Sequence, residues 1–181
     1  MAKNDNAHSI RLAESIRRWS GDAAAAGFEG SLPLSKSASP EKKHEWARKA
    51  CAYLEEHFDA DTVISIRKDC RCNDGRSIAN KLLKYLKKAE SISRFVELFN
   101  AGETFAQMEY VSDHKIRFCY PECYCACVKR IPEPIPKTWC YCTLGNAEGI
   151  FKEVFQKEDI HVTLLQSIKT GADRCVIEVE W

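Results

Sequence analysis

The sequence predicts an α+β fold, with N-terminal helices followed by an antiparallel sheet that has a helix packed across it. Apolar residues recur at helical spacing over residues 42–58, 77–88 and 91–100 and at alternating spacing after Gly102. Helical spacing then returns once, over residues 143–156. Helices gathered ahead of strands, without regular βα alternation, define the α+β class. Glycine and proline punctuate the changes, at Gly102, Pro121 and the run Pro132, Pro134, Pro136.

The elements follow in order. Residues 8–20 predict a short helix with Ile10, Ile16 and Trp19 as its apolar points. Residues 20–39 are rich in Ala, Gly and Ser and include "GFEGSLPLSKSASP", which reads as a linker. The expected organisation is therefore an arm over 1–39 and a single domain over 40–181. Ser39 is a helix cap with Pro40 at the first helical position, and Trp46, Ala50, Tyr53, Leu54 and Phe58 form the stripe that follows. Cys51 lies beside that stripe as a small core residue. "DTVISIRKDCRCNDGRS" places Cys70 and Cys72 in a polar stretch that ends at the turn Asn73-Asp74-Gly75. Helices follow over 77–88 (Ile78, Leu82, Tyr85, Leu86) and 91–100 (Ile92, Phe95, Val96, Phe99). Strands over 105–111 and 115–120 are joined by "SDH". Their aromatics, Phe105, Tyr110, Phe118 and Tyr120, read as core, with a pocket lining as the alternative. The helix over 143–156 turns Leu144, Ala147, Phe151, Val154 and Phe155 inward. Two strands then alternate at Ile160, Val162, Leu164, Gln166, Ile168 and at Cys175, Ile177, Val179, Trp181.

Composition narrows the class of function. The chain has 181 residues, 45% hydrophobic and 29% charged, with a formal net charge of +1. Bulk charge therefore argues against nucleic acid as a partner. No window approaches the roughly 18 apolar residues of a membrane span, and residues 1–10 lack the apolar core of a signal peptide. The expected location is the cytoplasm, with no membrane partner; a homodimer stays open.

Ten cysteines are the chemical feature of the chain. In a reducing compartment, clustered cysteines point to metal or redox chemistry before disulfides. Cysteines separated by one residue recur three times along the chain: Cys70 and Cys72; Cys123, Cys125 and Cys127; Cys140 and Cys142. In extended chain, residues so spaced point the same way, so each pair could face one ion. The most economical quartet is Cys123, Cys125, Cys140 and Cys142, held across the proline-rich loop, with Cys175, then Cys70 and Cys72, as further candidates. Zinc is the expected ion, and an iron–sulfur cluster is the alternative. Partly buried thiols with no metal, and a redox or catalytic cysteine, are the competing readings. The histidines say less. His114 falls in a hairpin turn, His161 on a strand surface, and His57 at a helix end that favours a cation.

The stretch "TWCYCTLGNAEGIFKEVFQKEDIHVTLLQSIKTGADRCVIEVEW" resembles the end of the vinyl-reductase-like ligand-binding domains. These include a bacteriochlorophyll-synthesis protein, the sensor domains of phenol-responsive regulators, and relatives of the aminothiazoline-carboxylate hydrolase type. The resemblance implies an α+β fold with a pocket for a small, mostly apolar or aromatic ligand, and a zinc held by cysteines and an acidic residue. By position, Cys140 matches the cysteine before the helix and Cys175 the one on the last strand. The intermediate ligands fall near Gln166 and Ser167, which are neither Glu nor Cys, so Cys123, Cys125 and Cys142 would have to supply the missing thiolates.

Two functions compete. One is a small-molecule-binding or sensor-like domain with a thiolate metal site. The other is a cysteine-dependent hydrolase of a small cyclic amide or thiazoline, with Cys140 or Cys142 as nucleophile at a helix start. His161 and Glu148 are the nearest candidates for its base.

Overall fold

The computed structural model describes residues 4–181, so Met1, Ala2 and Lys3, the start of the expected arm, lie outside the described residues. The chain divides into two compact units that interleave in sequence. The first is Met1–Arg71 with Tyr124–Cys142, and the second is Cys72–Cys123 with Thr143–Trp181.

In the first unit, α1 (Ala7–Ser31), α2 (Pro40–His57) and α3 (Ala60–Asp69) are joined by a 3-10 helix, Lys137–Tyr141. Asn6 caps α1 by accepting from the His8 amide at 3.0 Å. The segment expected to be a linker from residue 20 is instead helical to Ser31. Gly21, at φ +89, bends the helix there, and the alanines that follow are the strongest helix formers. Ala25 and Phe28 are fully buried, and Phe28 packs edge-on against Trp46 and Tyr53, with ring centroids 6.2 and 5.4 Å away. Composition suggested a loose arm, but this packing makes it core. The cap of α2 is as the sequence predicts, with Ser39 accepting from the Lys42 amide and Pro40 at the start. Helix α3 was not expected, because Thr62, Val63, Ile64 and Ile66 are β-branched and favour strand. Asp59 overrides that preference as its N-cap, accepting from the Thr62 amide at 3.0 Å and hydroxyl at 2.6 Å. The buried Ser15 hydroxyl then fastens α1 to α3 by donating to the Ile66 carbonyl at 2.7 Å.

The second unit carries α4 (Arg76–Leu86), α5 (Ile92–Gly102), most of α6 (Cys142–Phe155) and a four-stranded sheet. The strands are β1 (Gln107–Ser112), β2 (Lys115–Tyr120), β3 (His161–Gln166) and β4 (Cys175–Glu180), all antiparallel, in the order β1-β2-β4-β3. This is the expected α+β architecture. Phe118 on β2 lies against Phe99 of α5 and Phe151 of α6 at 5.9 and 5.5 Å, so it is core rather than pocket. Tyr110, on the other hand, is exposed. Gly75 starts α4 at φ +74, and a Cβ there would come within 2.6 Å of Ile150 Cγ1, so glycine is required twice over. Ile168, expected as the end of β3, instead lies in a short 3-10 turn (Ile168–Thr170) capped by Ser167, after a register shift between Leu164 and Gln166. Lys115 pairs with Glu180 at 2.8 Å, Arg117 with Glu178 at 3.2 Å and Arg174 with Glu109 at 2.6 Å.

The packing of Phe28 is directly testable. Phe28→Ala should cost about 3–5 kcal/mol in chemical denaturation. A cost below about 0.5 kcal/mol would mean that residues 20–31 carry no core.

Candidate functional site

The ten cysteines are all thiols rather than disulfides. Cys70, Cys125, Cys140 and Cys142 fall in the first unit, with Cys51 and Cys127. Cys72, Cys123 and Cys175 fall in the second, with Cys119. Cys70 is the C-cap of α3, and its thiol donates to the Ile66 carbonyl at 3.3 Å. Cys72 is exposed in the following bend. Cys127 is buried and donates to the Lys43 carbonyl at 3.7 Å. Cys175 begins β4 opposite Tyr120, and its sulfur accepts from the Ile168 amide at 3.4 Å.

The extended geometry expected of the pairs does not hold. Residues 121–128 form coil and turn, with the Cys125 carbonyl accepting from the amides of Val128 and Lys129. Cys140 lies in the 3-10 helix and Cys142 is the first residue of α6. On helical backbone, residues two apart do not share a face. Among the described residues, no three His, Cys, Asp or Glu side chains stand together as a ready-made metal cage. The suggested bases of the hydrolase reading, His161 and Glu148, lie in the second unit, where His161 Nε2 is 3.2 Å from an Asp159 carboxylate oxygen and Glu148 is ion-paired with Lys152 at 3.1 Å.

What the first unit does bring together is a buried arginine and thiols. Arg67 is 3% exposed. Its Nε donates to the Thr138 carbonyl at 3.3 Å and Nη2 to the Trp139 carbonyl at 2.6 Å. Its guanidinium lies over the Trp139 ring, 4.3 Å from the centroid. No carboxylate forms an ion pair with it among the described residues. Burial is the largest influence on Arg67 and opposes its charge, yet the guanidinium is held above its usual range by Cys70, then Cys142, Cys51 and Cys125. Cys51 is a neutral member of this group, since burial pushes its thiol up to about 12 despite Arg67.

The surroundings are rich in donors. The buried Trp139 Nε1 has no hydrogen-bond partner among the described residues. Trp139 packs edge-on against Trp46 at 5.7 Å and lies 6.4 Å from the His8 ring. Arg11 donates to His8 Nδ1 at 3.2 Å. Burial first, then Arg11, Arg67 and Lys43, lowers the His8 pKa to about 4. Sequence reasoning missed Arg67, although Val63, Ile66, Arg67 and Cys70 fall on one helical face at the spacing of a buried stripe. An arginine within such a stripe was the available signal.

A separate cavity of about 580 Å³ opens where the α1–α2 connection meets α2. Leu32, Leu34, Ser35, Ser37, Lys42 and Trp46 are among its walls. Among the described residues, no helix is long and apolar enough to cross a membrane.

These features define an α+β protein with a buried arginine–thiol cluster in one of its two units. The chain belongs to DUF6144, a family of unknown function, whose profile matches residues 4–180. No curated protein matches it. Among solved structures, an H-NOX protein from S. oneidensis in the Fe(II)NO ligation state is similar, with 14% identity and a TM-score of 0.45 over 97% of this chain and 98% of that one. The H-NOX domain from Shewanella oneidensis in the Fe(II)CO state gives 13% and 0.44, over 97% of each chain.

The depressed His8 pKa makes a signed prediction. His8 is neutral in the fold but takes up a proton in the unfolded chain below pH 6.5, so its contribution is present above that pH and lost towards about pH 4. His8→Asn should therefore lose less stability than the wild type between pH 7 and pH 5 in denaturant titrations. Equal losses would remove His8 from the acid response.

Proposed function

We propose that the first unit is a cysteine-thiolate metal centre, with zinc as its ion and Cys70, Cys125, Cys140 and Cys142 as its ligands. One observation supports this reading: the buried Arg67 guanidinium feels the electrostatic influence of four cysteines and, among the described residues, is ion-paired with no carboxylate. Burying an uncompensated charge is costly, and arginine does not neutralise by losing its proton. Four thiolates around zinc form a dianion, which matches the missing charge in sign. Binding would have to draw the thiols together, since no three of them stand as a cage among the described residues, and the binding free energy would then add to the stability of the fold. The sulfur donors suit zinc, and an iron–sulfur cluster is served by the same ligand type.

Anaerobic purification followed by elemental analysis tests the reading. Stoichiometric zinc, lost in Cys140→Ser and Cys142→Ser and kept in Cys175→Ser, is the expected result. Iron with visible absorbance would replace zinc by a cluster. A metal-free, stably folded wild type would overturn the proposal.

The cavity at the α1–α2 connection favours a second reading, small-molecule binding, since its volume falls in the range of ligand sites. Its walls mix apolar groups with hydroxyls, two lysines and Glu45, which pairs with Lys49, so a small ligand with an aromatic body and a polar group suits it. Leu34→Trp should abolish any thermal shift caused by such ligands.

A further inference from the structure

We infer that Asn4, Asp5 and Asn6 are positioning residues of the cavity at the α1–α2 connection: they fix the wall around Leu34 and Ser35, so that the cavity stands ready for a small molecule with an aromatic body and a polar group. The inference rests on the small-molecule reading of that cavity given above.

The hydrogen bonds carry it. Residues 32–39, which supply most of the cavity wall, are coil and turn, so no helix or strand ladder fixes them. Residues 4–6, just ahead of α1, supply the partners instead. The Leu34 carbonyl accepts from the amides of Asp5 and Asn6 at 3.1 and 3.0 Å. The Leu34 amide donates to Asn4 Oδ1 at 3.1 Å. The Lys36 amide donates to Asp5 Oδ1 at 2.7 Å, and Asn6 Nδ2 donates to the Ser35 carbonyl at 3.3 Å. Asn4 Oδ1 also accepts from the hydroxyl of Ser9, a fully buried residue of α1, at 2.6 Å. Through Asn4 the wall is therefore tied to a core helix rather than to another loop. Across the cavity, Trp46 Nε1 is spent on the Leu32 carbonyl at 2.8 Å, which leaves the indole only apolar surface to offer. A coil whose main-chain groups are met in this way is held in place before any ligand arrives. Binding then avoids the cost of ordering a mobile wall.

Binding of prodan, an uncharged naphthalene ketone whose emission shifts to the blue in apolar surroundings, tests the role in the full chain. Leu34→Trp fills the cavity and assigns the signal to it. Asn4→Ala removes the oxygen that accepts from Leu34 and Ser9, and Asn4→Asp keeps it. Ser15→Ala, which removes the buried Ser15–Ile66 bond elsewhere in the same unit, is the control for lost stability. Asn4→Ala should weaken prodan binding about tenfold. Asn4→Asp should stay within about threefold of the wild type and Ser15→Ala should not change it. Circular dichroism checks the fold. If Asn4→Ala does not fold, Asp5→Ala replaces it, with Asp5→Asn as the variant that keeps the acceptor for Lys36. Binding by Asn4→Ala within about twofold of the wild type would overturn the inference. So would an equal loss in Asn4→Asp or in Ser15→Ala, which would reduce Asn4 to a contributor to general stability. If the wild type binds no prodan, or Leu34→Trp binds it equally well, the reading of the cavity fails, and this inference with it. If the signal belongs to the cavity and Asn4→Ala leaves it unchanged, the inference fails alone.

Discussion

A guanidinium sealed from water must be met by the protein, since it can neither shed its proton nor keep its hydration shell. Arg67 is met by two backbone carbonyls and an indole face. This interaction joins the two stretches of chain that make up the first unit, and other polar links run beside it, among them the Cys127 thiol on the Lys43 carbonyl. His44 reaches the Glu133 carbonyl at 3.0 Å, and Thr138 donates to Glu55 at 2.5 Å. Trp139 sits at the centre, touching Arg67 on its face and Trp46 at its edge. Pulling the arginine out would strand two carbonyls and open the apolar floor on which Trp139 rests.

The second unit is held differently. Its core is a chain of rings, Phe99 to Phe118 to Phe151 to Phe155, which ends where Phe155 stacks on Trp181 at 3.8 Å. No buried charge takes part in that chain of rings. The charged pairs of its sheet stay partly exposed, where water screens them and each contributes little to stability. One unit is therefore organised by apolar area and the other around a polar group that had to be accommodated.

This difference explains what could be read from the sequence. The sheet unit was legible almost to the residue, with 115–120 as a strand and 143–156 as a helix, because alternation and helical stripes directly record which face is buried. The helical unit was harder to read. The Ala- and Gly-rich stretch before Leu32 looked like a linker, since composition does not reveal that Phe28 finds Trp46 and Tyr53. The β-branched run in α3 concealed a helix that Asp59 starts. The cysteines were visible, but their spacing was read as strand. Arg67 was hidden because its partners are main-chain carbonyls, which no side-chain pattern records.

The interleaving of the two units also has a consequence in time. A chain made from its N-terminus presents α1, α2 and α3 well before the residues that cover Arg67, since the Thr138 carbonyl comes 71 residues later. Until then the guanidinium has no backbone to grip, and Cys51 and Cys70 wait without the segment that brings Cys125, Cys140 and Cys142. The whole of α4, α5, β1 and β2 is synthesised in that interval. The thiol cluster is thus a late product of folding. In a cell this leaves its earliest cysteines open to oxidants and stray metal ions during synthesis, when the finished protein would shelter them.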